Sequence, residues 1–509
     1  MCPVKESREF LSEKVLSKDG EEENEEGNKG DRNKTCHGFL GGLPSKQVLE
    51  ELKSLGRIAC PIVITSLLLH AKSIISMLFL GHLGNVELAG GTLSMGFANI
   101  TGYSIIKGLA MGMEPICCQA YGAKRWSVLS QAYQKTLLLL LLATIPISLL
   151  WLNMEELLLW SGQDPDITSV AKVYITFSIP DLLGQANFYP LRIFLRSQCL
   201  TKPITIASFC AIVLHLPINY FLVMYLNMGV EGVALASSWF TLNLNLILLV
   251  YLAISKAVLK PWSTEASMWC FQGWKTLVAL AVPSVLSVCL EWWWYEVMLL
   301  LSGLLINPKA SVAAMGILIQ VTGLIYVFPS SLSLGTSTRV GHELGADQPA
   351  SARFASIIGI AVAASCGLSA FGFTIILRNS LGKLFTSEPE VVELTSIVLP
   401  ILGFCELGNC PQTVACGVLT GSARPKVGAK INFTSFYLIG LPLAILLGFQ
   451  LKVGFVGLWF GLVAAQMSCM CFMVYTIICT DWNYQAKRAN ELTYKAEGSK
   501  DDLEAYLLR

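Results

Sequence analysis

The chain has 509 residues, 54% of them hydrophobic and 14% charged, with a formal net charge of +1. Soluble domains carry about a quarter charged residues, so a water-soluble fold would need several large cores under very thin polar surfaces. The near-neutral balance says little about partners, and no nucleic-acid partner is expected.

Residues 1–43 hold Glu21-Glu22-Glu23-Asn24-Glu25-Glu26 among glycines and cannot bury a core, so a disordered acidic head is expected. No apolar stretch with a small-residue cleavage site opens the chain, and no secretory signal is expected. Six apolar runs follow at roughly 58–80, 92–117, 132–152, 168–188, 203–225 and 231–253. Six more lie at roughly 275–305, 312–337, 354–377, 391–419, 428–449 and 454–479. About 20 apolar residues cross the hydrocarbon as a helix. Backbone groups find no water there, so helices satisfy them internally. The alternation a barrel would need is absent. Proline interrupts the fourth run (Pro180, Pro190) and the tenth (Pro400, Pro411), where kinks are expected. The expected fold is all-α and membrane-spanning, with about twelve transmembrane helices in two pseudo-symmetric six-helix bundles. Its expected divisions are 1–43, a bundle over 44–255, a linker over 256–274, a bundle over 275–480 and a tail over 481–509 that reads as a polar extension.

The two halves repeat one another. Pro61 and Pro283, Gly122 and Gly345, Pro203 and Pro425, and Gly232 and Gly457 are each 222–225 residues apart. Transporters built from repeated bundles place their site between the repeats. Charge is distributed unevenly over the loops. Lys124, Arg125, Lys135, Arg192, Arg196, Lys202, Lys256, Lys260, Lys275, Arg424, Lys426 and Lys430 follow even-numbered spans, while Gly81–Gly91 and Asn153–Asp166 have no Lys or Arg. The positive-inside rule then puts both termini in the cytoplasm. Lys309, Arg378, Lys383 and Lys452 weaken the bias in the second half. Plasma, vacuolar and endosomal or Golgi membranes are served equally by such spans.

Several classes of activity lack their motifs. There is no phosphate loop for ATP, no His-Glu-x-x-His, and no Gly-x-Ser-x-Gly. There is no Arg-rich voltage-sensing helix and no potassium-filter sequence. The 16 cysteines lack zinc-ligand spacing and read as small packing residues without a disulfide framework. A secondary transporter is favoured over an enzyme or a selective channel, with no cofactor and no metal.

Ionisable residues inside spans are functional candidates by default. Glu291, Tyr295 and Glu296 lie in Glu291-Trp292-Trp293-Trp294-Tyr295-Glu296 of the seventh span. Glu291 and Tyr295 are four apart and share a helix face. Glu296 is turned about 140° from Glu291, so one carboxylate can face a cavity and the other a neighbouring helix. The tryptophans offer apolar surface and cation–π contacts to an organic cation. An acid in such surroundings can exchange a proton at the pH of working gradients. If proton and cation exclude one another, that exchange is coupled to transport. The other reading of Glu291 is a structural hydrogen-bond acceptor. In the tenth span Glu406, Asn409 and Gln412 are three apart and can project from one face, as a cavity wall or as hydrogen bonds between helices. Lys72 and Lys107 are expected to snorkel to an interface, and His70 to be a packing residue. Trp151, Trp160, Trp262 and Trp482 suit interfacial belts.

The stretches Met77–Gly84, Gly108–Pro115, Cys118–Ala123, Pro190–Gln198, Glu291-Trp292-Trp293, Arg339–Ala346 and Gly417–Gly421 resemble the multidrug and toxic compound extrusion (MATE) family, in its plant detoxification branch. The resemblance spans roughly residues 45–480. It implies a V-shaped pair of bundles working by alternating access. Relatives export organic cations, secondary metabolites, hormones or organic acids against protons or, in some members, sodium. The family's helix-seven acid falls on Glu291 and the second acid of that motif on Glu296. Many relatives carry Asp where this chain has Asn409, with Glu406 one turn away. Bacterial members often carry Asp where this chain has Ser76, which moves the expected coupling role onto Glu291.

The resulting expectation is a proton-coupled exporter of small organic molecules, a monomer as transport unit in the lipid bilayer. Two alternatives stand beside it. A regulatory scaffold could recruit partners through its termini, and a lipid-linked sugar flippase would require a cavity rich in basic residues.

Overall fold

The structure is a computed structural model that describes residues 45–160, 162–255, 273–386 and 388–497. Among them every regular element is helical. The acidic head read over 1–43 and all but the last two residues of the 256–274 linker fall outside these ranges. Backbone contacts divide the chain into Met1–Lys53 and Ser54–Arg509. The described part of the first unit is only the opening of a helix, and the second unit holds the rest of the described chain.

The first half runs α1 (Ser45–Leu83), α2 (Asn85–Ala98), α3 (Ser104–Met111), α4 (Met113–Gly122), α5 (Trp126–Leu152), a short α6 (Met154–Trp160), α7 (Pro165–Phe177), α8 (Ile179–Ser197), α9 (Lys202–Asn219) and α10 (Gly229–Ile254). The second runs α11 (Trp274–Ser302), α12 (Pro308–Gly345), α13 (Pro349–Phe385), α14 (Pro389–Gly421), α15 (Pro425–Asn432), α16 (Leu441–Ile445), α17 (Phe455–Ile478) and α18 (Trp482–Glu497). Wider π turns occupy Asn99–Tyr103, Tyr220–Tyr225, Phe433–Gly440 and Leu446–Gln450.

Ten of the described helical stretches are long and apolar enough to cross a membrane. The second and fourth spans complete twelve, and both are interrupted. The second breaks at the π turn and again at Gly112, and the fourth at Ser178 just ahead of Pro180. The tenth runs unbroken through Pro400 and Pro411 as α14. Helix starts follow local chemistry. Proline sits in the first turn of α12, α13, α14 and α15, where its missing N–H costs nothing. Asp164 caps α7 by accepting from the Asp166 and Ile167 amides.

The repeat seen in the sequence is present in the backbone. Non-glycine residues with left-handed φ occur at Lys124, Cys199 and Asn227, and again at Asp347, Ala423 and Lys452. Such residues are uncommon, and each follows the corresponding span of its half. The first two pairs close their helices in the same way. Arg125, Leu200, Gln348 and Arg424 each donate their amide five residues back, to Ala120, Leu195, Glu343 and Leu419, at 2.8–2.9 Å. This is the Schellman pattern that satisfies orphan carbonyls.

Each half encloses its own apolar core. Trp151, Phe188, Phe194 and Phe240 lie in the first, and Trp294, Phe436 and Trp459 in the second. Trp151 was expected in an interfacial belt. It is fully buried instead, its Nε1 donating to Thr101 Oγ1 at 3.0 Å. Trp160 is 90% exposed, as a belt residue would be. Trp262 lies outside the described residues.

The stretch from about 483, read as a polar extension, is the amphipathic helix α18. Trp482, Ala486 and Ala489 join the second core, and Leu492 and Ala496 join the first. Arg488 Nη2 donates to the Ala423 carbonyl at 3.0 Å, and Arg125 stacks 3.3 Å from the Tyr494 ring centre. One short helix therefore covers both halves at the end that carries the basic turns. Deleting residues 482–509 is expected to destabilise the protein by about 3–6 kcal/mol, the loss of two large buried apolar side chains. An unchanged melting temperature of the purified truncation would refute this.

Candidate functional site

The two halves meet along glycines. A methyl group on Gly345 would stand 2.0 Å from the Gln119 carbonyl oxygen, and one on Gly122 would stand 2.1 Å from that of His342. One on Gly341 would lie 2.5 Å from Cys118 Cβ. Further along, Gly112 and Gly108 would meet the Cα atoms of Ala281 and Val285 at 2.5 and 2.6 Å. No side chain fits at these positions, so α3 and α4 lie directly on α11 and α12. Polar contacts finish the seam. Gln119 Nε2 donates to the Gly421 carbonyl at 2.9 Å, and His342 Nε2 to the Ser197 carbonyl at 2.7 Å. The seam runs from the basic turns up to Ser104 and Cys289, whose Oγ and Sγ are 3.7 Å apart.

Glu291 lies two residues beyond that last contact. It is partly buried. Tyr326 of α12 and Lys107 of α3, both outside its own helix, act on its carboxylate. Tyr295, one turn on, feels both Glu291 and Glu406, with Gln466 of α17 a further polar neighbour. The structure therefore brings Glu291, Tyr295 and Glu406 into one polar cluster. Tyr326 and Gln466 were missed from the sequence, because isolated polar residues in apolar runs give no signal until the helices pack.

The three tryptophans have different destinations. Trp294 is fully buried against Phe436 at 5.6 Å. Trp293 is 39% exposed. Only Trp292 meets a cation among the described residues, and that cation is internal, with Lys107 Nζ 4.2 Å from the ring centre. Lys107 is therefore not snorkelling to an interface. Glu296 is half-buried, and among the described residues no hydrogen bond or ion pair ties it to the Glu291 cluster.

On α14 the carboxylate of Glu406 accepts from Asn409 Nδ2 at 2.9 Å and from Cys410 Sγ at 3.7 Å. Thr413 Oγ1 donates to Asn409 Oδ1 at 3.4 Å. These bonds stay within one helix. Gln412 is buried with its Oε1 unpartnered.

The first half holds two buried charge pairs that the sequence reading passed over. Asp181 is paired with Lys72 at 3.3 Å, accepts from Tyr103 OH at 2.6 Å, and accepts from Thr241. Lys72 is thus an internal ion-pair partner rather than a snorkelling residue. Beside it, Ser76 bonds His215 and Ser237 at 3.5 and 3.2 Å. Arg196, expected among loop charges, is buried and 2.7 Å from the buried Glu114. The rule that marks Glu291 also marks Asp181 and Glu114, because both are ionisable residues inside helical spans.

Known proteins supply the remaining context. The MatE family model matches residues 61–221 and 283–446, one stretch in each half. The chain belongs to the MATE family. It is 57% identical to Protein DETOXIFICATION 53 of Arabidopsis thaliana over 450 residues, covering 88% of this chain and 93% of that protein. It is 54% identical to Protein DETOXIFICATION 49 of the same plant, covering 89% and 91%. The crystal structure of the eukaryotic MATE transporter AtDTX14 superposes with a TM-score of 0.84 at 32% identity, covering 88% of this chain and 99% of that one. The chain is accordingly a multi-pass membrane transporter of the MATE type and not an enzyme. Within the MATE framework, the two matched segments carry the walls of the seam on either side of Glu291.

Proposed function

We propose that this MATE transporter exports small organic molecules, organic cations foremost, in exchange for protons. The observation that carries the reading is the setting of Glu291 on α11, the helix that forms the second half's side of the seam, beside Trp292, whose ring lies 4.2 Å from Lys107 Nζ of the first half. Assigning the basic end to the cytoplasm by the positive-inside rule makes the present arrangement cytoplasm-closed. Glu291 then receives a proton from the far side and yields it when the halves rock apart. In this reading Tyr295, Glu406, Asn409, Gln412 and Glu296 contribute with Glu291 to proton or substrate binding. A cation and a proton compete for one carboxylate, and that competition alone links their opposite movements.

The test is efflux from proteoliposomes under an imposed pH gradient, with a panel of organic cations, neutral metabolites and organic anions. Gradient-dependent movement of cations supports the reading. Transport indifferent to the gradient for every compound refutes it. Removal of residues 1–43 separates a transporter from a scaffold: flux persists in the first case, and a partner is lost in the second.

A further inference from the structure

Lys107 sets an internal cation at the join of the two halves. Its ammonium rests on the face of Trp292 at 4.2 Å and feels the charge of Glu291. Lysine and ring belong to different halves, Lys107 to α3 and Trp292 to α11. The contact is made just where the glycine seam ends, one residue from Gly108, which lies against Val285. A lysine inside a membrane bundle is expensive to keep. An internal cation seated on a ring of the opposite half, within electrostatic range of Glu291, points to a role in the cycle itself.

We propose that Lys107 is a built-in surrogate cargo that holds the empty, ionised carrier in its closed arrangement until Glu291 takes up a proton. This deepens the exporter reading and rests on it. Two attractions hold the lysine: the Trp292 face and the Glu291 carboxylate. Protonation of Glu291 removes the second, and the halves can part at the basic end. An arriving cation displaces the lysine from both. The empty ionised carrier satisfies neither condition and stays shut, so its return requires a proton.

The groups around Glu291 are Lys107 from α3, Tyr326 from α12, Tyr295 on its own helix, Cys416 from α14 and Cys469 from α17. Glu406 lies beyond Tyr295, and Arg192 of α8 is the further charge felt by Lys107. Of these, Lys107 alone is a cation contributed to Glu291 by the opposite half.

The experiment uses the full chain in proteoliposomes loaded with radiolabelled tetraethylammonium, with equal pH on both sides. Two fluxes are compared from mildly acidic to alkaline pH: net exit, which needs the empty carrier to return, and exchange against unlabelled probe, which does not. For the wild type, net exit should fall as pH rises while exchange continues. For Lys107→Gln, net exit should persist at alkaline pH, about tenfold above wild type, the scale of a desolvated cation–π contact. Exchange should survive in that variant, and Lys107→Arg should restore the pH dependence. If Lys107→Gln keeps the wild-type fall of net exit with pH, the surrogate role is overturned while the exporter reading stands. If the variant loses exchange together with net exit, the role is also overturned, because a residue needed for folding or for gripping cargo stops both. If the wild type shows no proton-dependent flux of the probe, the exporter reading fails and takes this inference with it.

Discussion

Glu291→Gln is expected to abolish proton-driven export while leaving the protein folded and inserted. Glutamine has nearly the volume of glutamic acid, so packing in α11 is preserved. Removing the charge relieves the desolvation of Glu291 but deprives Lys107 of a counter-charge, so some loss of stability is expected alongside an intact fold. Transport is a different matter. The amide binds no proton, so a pH gradient has nothing to act on. It also offers no counter-charge to an organic cation. Losing a contact to a charged group costs about 1.5–3 kcal/mol, which lowers cation affinity by roughly ten- to a hundredfold. The measurement is accumulation of a fluorescent cation against its gradient in vesicles, alongside a melting curve of the purified variant. An intact, inserted Glu291→Gln protein that still concentrates the cation under a pH gradient would remove Glu291 from the mechanism.

Much of this architecture is legible in the sequence, for physical reasons. A bilayer demands long apolar helices, and the repeat spacing survives in the turns, where left-handed closures recur at Lys124 and Asp347 and at Cys199 and Ala423. Glu291 stands out because charge in an apolar run is rare enough to require a reason. Its partners do not. Tyr326 and Lys107 act on it from α12 and α3, Gln466 of α17 acts on Tyr295, and only tertiary packing decides which faces meet. The three tryptophans illustrate a limit that helix geometry alone could have set. Consecutive residues are about 100° apart, so Trp292, Trp293 and Trp294 could never share one cavity wall. In α18 the apolar positions Trp482, Ala486, Ala489, Leu492 and Ala496 recur every three or four residues. That period is present in the sequence, but three of the five are alanines, whose weak hydropathy hides it beneath the surrounding charges.

The seam itself yields the last expected result. Gly345→Ala should lock the transporter open at its basic end. The added methyl would lie 2.0 Å from the carbonyl oxygen of Gln119 and 2.7–2.8 Å from its C and Cα. These are backbone atoms within α4, so no rotamer change can make room, and overpacking of this kind costs about 1–3 kcal/mol or more. Separation of the halves relieves the clash without disturbing either core, since Gly345 meets Gln119 only across the seam. The substitution therefore acts on the equilibrium between closed and open arrangements and not on the fold. Gly122→Ala, which would strike the His342 carbonyl at 2.1 Å from the opposite side, should do the same. Gly96→Ala is the control, because nothing lies within 4 Å of its added methyl. Spin labels placed at Lys124 and Asp347, the equivalent turn residues of the two halves, report the separation directly. Both seam variants should show the longer distance, retain cation binding, and lose export. The Gly96 variant should match the wild type in all three. A Gly345→Ala protein that exports at the wild-type rate would mean that closure of this seam is not a step of the cycle, and the position of Glu291 just beyond it would lose its mechanistic meaning.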